Sequence, residues 1–249
     1  MDPPPSAGGA RVMCGSVRSL PAAWLLWPRL RRRVLRRPAL LPPYEEVFGP
    51  YAQGRSFVEV GTMWNVHGRY AFAAEACGAT PVTAFDDMAP TPEFEAEHAR
   101  RSSAVRFVQG DINDAASLEK IGVHDLVWCA GVVYHSPDPA LTLRHLCRIT
   151  GDWLFVASKT IPEVPGLPQA SVFLPGLEAE ARTPYARVFP RAMGLETPFD
   201  RDNWYGNWWW GISPSALRAM VEVNEGIRVV EELRRPFETL LIARRTAPA

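Results

Sequence analysis

Between residues 56 and 158, short apolar runs alternate with longer segments of helical spacing, and this alternation leaves the chain few architectures. "SFVEV" (56–60), "PVTAF" (81–85), "VRFVQG" (105–110), "DLVWCAG" (125–131) and "DWLFVAS" (152–158) read as strands. Between them "GRYAFAAEACG" (68–78), "TPEFEAEHARR" (91–101), "NDAASLEKIG" (113–122) and "DPALTLRHLCRIT" (138–150) read as helices. Thr91 followed by Pro92, and Asp138 followed by Pro139, are helix starts: a side-chain oxygen caps and proline occupies the first helical position. Short connections and right-handed crossovers then give a parallel doubly wound sheet. Ligands of such a sheet sit at the carboxyl ends of its strands.

The rhythm breaks after Ser158. Residues 160–212 are rich in Pro, Gly and aromatics and too long for an ordinary connection, which predicts a lid or substrate-binding insertion. "SPSALRAMVEV" (213–223) restores a helix, with Ser213 as cap, Pro214 at its start and an apolar stripe of Leu217, Met220 and Val221. "RVVEEL" (228–233) and "TLLIARR" (239–245) read as an antiparallel hairpin that finishes a sheet of seven strands.

The formal charge of zero is unevenly distributed. Residues 1–40 carry eight arginines against Asp2, which leaves 19 basic and 26 acidic residues in the remainder. This predicts a Pro/Arg-rich arm over residues 1–40 and a single acidic domain over 41–249, whose sign is unfavourable for phosphate-rich partners. Most of the arm's arginines follow its short apolar patch rather than precede it, so it does not read as a secretory signal. No apolar run reaches membrane-spanning length. Cys14, Cys77, Cys129 and Cys147 are too few and too widely spaced for a disulfide scaffold or a metal knuckle, and free thiols fit a cytoplasmic location.

The first strand runs into an unusual turn, "FVEVGTMWNVHGRY" (57–70). A dinucleotide site has a second glycine two residues after Gly61, where backbone must approach a pyrophosphate; this chain has Met63 there. A nucleoside without phosphate needs less: one glycine for the turn and an acid near its ribose. "VTAFDD" supplies Asp86 or Asp87 at the end of the second strand, of which Asp86 is the expected ribose contact. "FVQGDIND" puts Asp111 and Ile112 after the third strand, although Asp111 or Asp114 there can equally serve as a helix cap.

With these motifs the chain resembles the class I S-adenosylmethionine-dependent methyltransferases over roughly residues 44–160 and 204–245. The resemblance is strongest in "HDLVWCAGVVYHSPDPALTLRHL", where Gly131, Val132, Val133, Tyr134 and His135 match the family's Gly-Val-Leu-Tyr-His before a proline-started helix. It implies an α/β, Rossmann-like doubly wound sheet, mostly parallel, and S-adenosyl-L-methionine as cofactor. The cofactor contacts it implies are Glu59, Gly61, Thr62, Trp64, Gly68, Asp86, Asp111, Ile112 and Gly131. The first turn is longer than in relatives with Gly-Thr-Trp-Asp-Gly, with Trp64, Asn65 and Gly68 standing in it.

A sulfonium methyl is already a ready electrophile, so the protein must chiefly align an acceptor and exclude water. For a hydroxyl acceptor a base is needed, and His135 beside Tyr134 is the catalytic candidate, against a role in capping or packing at the helix entrance; His67 is a weaker one. In "RDNWYGNWWWGISP" (201–214), Trp204, Tyr205, Trp208, Trp209 and Trp210 crowd around Asn203 and Asn207, an acceptor wall or a structural plug. Tyr134, His135, Asn207 and Trp208 are the expected acceptor contacts. The sequence thus points to methyl transfer to oxygen or nitrogen of a small molecule, secondary metabolites included. Its alternatives are a tRNA-modifying methyl- or carboxymethyltransferase using the arm, a non-catalytic cofactor-binding protein and, more distantly, an NAD-dependent oxidoreductase.

Overall fold

The computed structural model describes residues 42–189 and 195–246; the arginine arm of residues 1–40 and Cys14 lie outside them. Helix α1 (Tyr44–Ala52) precedes an alternating series: β1 (Phe57–Val60), α2 (Arg69–Ala76), β2 (Val82–Asp86), α3 (Pro92–Arg101), β3 (Arg106–Gln109), α4 (Ala115–Ile121), β4 (His124–Ala130), α5 (Pro139–Ile149) and β5 (Thr150–Lys159). After the insertion come α7 (Pro214–Glu222), β8 (Ile227–Arg235) and β9 (Glu238–Arg245). The seven-stranded sheet has the order β3-β2-β1-β4-β5-β9-β8. β9 alone runs against its neighbours, through the β8–β9 hairpin. The order reverses between β1 and β4, where such sheets open a crevice at their carboxyl edge.

The period of two along each strand divides the core. On β4, Leu126 and Trp128 face a cluster containing Phe48 of α1, Ala71 and Phe72 of α2 and Phe94 of α3. Val127 and Cys129 face the opposite cluster, with Leu118 of α4, Leu143 and Leu146 of α5 and Leu217 and Val221 of α7. The three proline-started helices are capped as their sequences predict. Thr91 accepts from the Phe94 amide, Asp138 from that of Leu141 and Ser213 from that of Ala216. Asp114, rather than Asp111, caps α4 through the Ala116 and Ser117 amides.

The insertion is more ordered than its composition suggests. β6 (Ser171–Phe173) pairs with β7 (Trp210–Ile212), and helix α6 (Ala179–Val188) lies between them in sequence. Ile161, Leu174, Tyr185, Phe189 and Leu195 form a small core of their own, with Trp208 and Phe237 against it. The Trp209 amide donates to the Tyr134 carbonyl at 3.0 Å, which ties this unit to the segment after β4. Among the described residues no helix is long and apolar enough to cross a membrane.

Candidate active site

A cavity of about 620 Å³ runs along the carboxyl edge of the sheet from β3 to β9, within the ~300–1,000 Å³ range of small-molecule sites. Gly61, Trp64, Asp86, Asp111, Ile112, Gly131, Tyr134, His135 and Trp208, all sequence candidates, line it. Asp87 and Tyr205 line it too, as do Tyr44, Tyr70, Ser158, Lys159 and Glu238, which sequence reasoning missed.

Four candidates do not line it. Glu59 lies one residue before Val60, and the strand's alternation sends it to the α1–α3 face with Phe57. There its Oε2 accepts from the Ala71 amide at 2.8 Å and the Thr62 hydroxyl at 2.9 Å. The helix cap Gly68 has no side chain to offer, so Glu59 satisfies an orphan donor in the first turn of α2 instead. Burial raises the Glu59 carboxyl from its ordinary 4.5 to about 8 against the pull of these bonds. Thr62, fully buried, belongs to the same support. Gly68 has φ +77°, and a Cβ there would stand 2.4 Å from the Phe94 ring; packing, rather than a ligand, requires the glycine. Asn207 is fully buried and its side chain is spent on the insertion, donating to the carbonyls of Asp200 and Asn203 and accepting from the Asp200 amide. It contributes its carbonyl to the site, not its amide.

The turn after β1 is built for close approach. Gly61 has φ +80°, and a Cβ on it would lie 2.2 Å from Val132 Cγ2. The Met63 amide donates to Asp86 Oδ2 at 2.7 Å, and the Met88 amide to Asp86 Oδ1 at 2.9 Å. Asp86 therefore clamps the β1 and β2 turns together with both oxygens. The neighbouring Asp87 carboxyl is raised to about 7 by partial desolvation and then by the Asp86 and Asp111 carboxylates. Asp111 Oδ1 accepts from the Tyr205 hydroxyl at 2.5 Å and the Asn113 amide at 2.7 Å, and Oδ2 has no such bond among the described residues.

On the other side of the crevice, Tyr134 and His135 occupy a single 3₁₀ turn (Val133–His135) after β4. Tyr134 packs against Trp208 with ring centroids 4.3 Å apart and planes at 46°, and Trp208 packs at 4.4 Å on Phe189. His135 Nδ1 lies 2.8 Å from the Asn207 carbonyl oxygen. A carbonyl only accepts, so Nδ1 carries the proton and Nε2 keeps the lone pair. Burial lowers the imidazole to about 4, opposed by this hydrogen bond, so the ring is neutral at physiological pH. His67 lies outside the cavity, with Nδ1 2.9 Å from Thr91 Oγ1. At the far end, Lys159 Nζ is 2.7 Å from Glu238 Oε2, and the Tyr44 hydroxyl bonds the other Glu238 oxygen.

Residues 65–152 match the family described as "Methyltransferase domain". No curated protein matches the chain. Solved structures share the fold at low identity. The magnesium protoporphyrin IX methyltransferase of Synechocystis PCC 6803, with SAH bound, is 13% identical with TM-score 0.52, over 82% of each chain. The 1,6-didemethyltoxoflavin-N1-methyltransferase of Burkholderia thailandensis, with 1,6-didemethyltoxoflavin and S-adenosylhomocysteine, is 16% identical with TM-score 0.56, over 91% of this chain and 89% of that one. The mitomycin 7-O-methyltransferase is 17% identical with TM-score 0.52, over 80% of this chain and 50% of that one. The central residues of the chain are thus similar to a methyltransferase domain, and its fold is the one that these S-adenosylhomocysteine-bound methyltransferases share.

Proposed function

We propose that this chain transfers a methyl group from S-adenosyl-L-methionine to an oxygen or nitrogen of a small-molecule acceptor. The observation that carries this reading is the charge pattern of the cavity. Three carboxyl side chains, Asp86, Asp87 and Asp111, line its β2–β3 end, and among the described residues no arginine or lysine joins them there. The Met63 amide that would face a phosphate is already bonded to Asp86. Such a wall repels a pyrophosphate and suits a nucleoside that carries positive charge and sugar hydroxyls. This counts against a nicotinamide dinucleotide. The cofactors and substrates named for the similar structures agree with this reading.

When bound, the sulfonium nucleoside supplies an electrophilic methyl whose departure leaves a neutral thioether. The chain supplies position and dryness. Gly61 lets the backbone come close, Asp87 is the carboxyl of the pair that does not clamp the two turns and would meet the ribose hydroxyls, and Asp111 Oδ2 with Ile112 would hold the base. Trp64 and Gly131 complete that wall. The Tyr134 and Trp208 rings, inclined at 46° to each other, form an aromatic wall for the acceptor, to which the insertion supplies Trp208. His135 Nε2 takes the proton that a hydroxyl acceptor must lose.

Calorimetry with S-adenosylhomocysteine and NAD, followed by incubation with methyl-labelled cofactor and panels of phenols and amines, tests this. Micromolar S-adenosylhomocysteine binding and label transfer are expected; NAD binding in its place overturns the reading. Cofactor binding with no transfer to any acceptor leaves only a binding protein.

A further inference from the structure

The cavity extends beyond the end expected to hold the cofactor. Its β5–β9 end is built from Lys159 at the last position of β5, Glu238 at the first position of β9, and Tyr44 of α1. Lys159 and Glu238 are register partners in the sheet, so the ion pair has a structural use. Its hydrogen bonds are not evenly spent, however. Both Glu238 oxygens are engaged, one by the Tyr44 hydroxyl and one by Lys159 Nζ. Burial would raise the Glu238 carboxyl, yet the bonds from Lys159 and Tyr44 and the field of Arg235 hold it below its ordinary range. An ammonium has three donors, and a single one goes to Glu238. Two remain, on a side chain 42% exposed in the cavity wall.

Among the described residues that line the cavity, Lys159 is the one lysine or arginine. This end therefore offers a cation where the other end offers Asp86, Asp87 and Asp111. The chain has 25 arginines and two lysines. The second, Lys120, lies in the last turn of α4, away from the cavity. An ammonium differs from the guanidinium used elsewhere in being compact, with donors that rotate to suit a ligand.

We propose that Lys159 is the specificity-determining anchor of the acceptor subsite and selects flat acceptors that carry a carboxylate, their ring lying along the Tyr134–Trp208 wall. This rests on the methyltransferase reading above. The carboxylate meets the unspent donors of Lys159 at the β5 end, and the ring spans toward His135.

The test uses the full chain saturated with S-adenosylhomocysteine and titrated with 4-hydroxybenzoate, phenol and tyramine. A charged hydrogen bond gives a preference of about tenfold or more for 4-hydroxybenzoate over phenol. The preference is lost in K159M and in K159Q, while each variant binds S-adenosylhomocysteine within about twofold of wild type, which shows that it is folded. K159R, with its longer planar head, keeps part of the preference. Equal binding of the three probes, no binding of 4-hydroxybenzoate, a preference for tyramine, or a preference that survives K159M overturns the proposal and leaves the cofactor reading intact. Failure of wild type to bind S-adenosylhomocysteine overturns the cofactor reading, and this proposal with it.

Discussion

The Tyr205 hydroxyl lies 2.5 Å from Asp111 Oδ1, and this bond ties the insertion to the carboxyl end of β3. Tyr205 sits in a 3₁₀ turn (Trp204–Gly206), and Asn113 supports it by donating to its oxygen at 3.2 Å. Asn113 in turn donates to Ser136 and accepts from Thr142, so the latch rests on the turn that carries His135. Asp111 still has Oδ2 for a ligand. Tyr205→Phe removes a hydrogen bond to a charged group, so release of S-adenosylhomocysteine speeds up by about ten- to a hundredfold. Stopped-flow tryptophan fluorescence reads this, because Trp204, Trp208, Trp209 and Trp210 flank the latch. An unchanged release rate would show that the insertion closes by other contacts.

Asp86 and Asp87, adjacent in sequence, separate by experiment. Asp86 has given both oxygens to backbone amides, so Asp86→Asn, which replaces one acceptor by a donor facing an N–H, lowers the melting temperature. Asp87 is raised to about 7 and binds sugar hydroxyls best when ionised. Affinity for S-adenosylhomocysteine therefore rises across about pH 6 to 8, and Asp87→Asn weakens binding and flattens that rise. Calorimetry at several pH values checks both. The same shift makes Asp87 a mild liability for the empty fold: it binds its proton more tightly folded than unfolded, so its contribution to stability falls from its ordinary 3.8 up to about 7.

What the sequence made legible follows from the range of each signal. Thr91, Asp138 and Ser213 cap helices that begin with proline, and such signals span three residues. The strands followed from short apolar runs and their doubly wound arrangement from the connections between them, whereas the order of the seven strands is set by pairings between distant segments. An acid before a glycine does not reveal which face of β1 it takes, and strand alternation turns Glu59 to α2 rather than into the cavity. Nor does the sequence show that the Asn207 amide is absorbed by Asp200 and Asn203, seven and four residues away. Tyr44, Lys159 and Glu238 come from three distant segments, and nothing local marks any of them. Helix α6, with Pro184 inside it, carries no clean apolar stripe to announce it.

Gly61 separates backbone strain from steric fit. Gly61→Ala places a Cβ 2.2 Å from Val132 Cγ2 at φ +80°. The left-handed conformation alone costs about 1–2 kcal/mol for a residue with a Cβ. Val132→Ala in the same chain removes the clash and leaves the strain. The double variant therefore recovers part of the stability lost in Gly61→Ala, which a thermal double-mutant cycle measures as non-additivity. Full additivity would mean that Val132 rotates away without cost.

His135 brings together the acid–base and stability consequences of one hydrogen bond. The Asn207 carbonyl fixes the proton on Nδ1, and burial lowers the ring to about 4 from its ordinary 6.5. The folded protein thus binds this proton less readily than the unfolded chain. Stability from His135 is complete above about pH 6.5 and is lost as pH falls toward 4. The melting temperature of His135→Gln, which has no such titration, falls less steeply over that window. In catalysis, a base with so low a proton affinity stays unprotonated through pH 6, so transfer to a phenol shows no acidic limb near 6.5. A general base contributes about a hundredfold or more to such a step, so His135→Gln loses that much on a hydroxyl acceptor and far less on an amine that arrives neutral. An equal loss on both acceptors would make His135 a positioning residue for the Tyr134–Trp208 wall. A limb near 6.5 in wild type would mean that the ring is wetter than its surroundings imply.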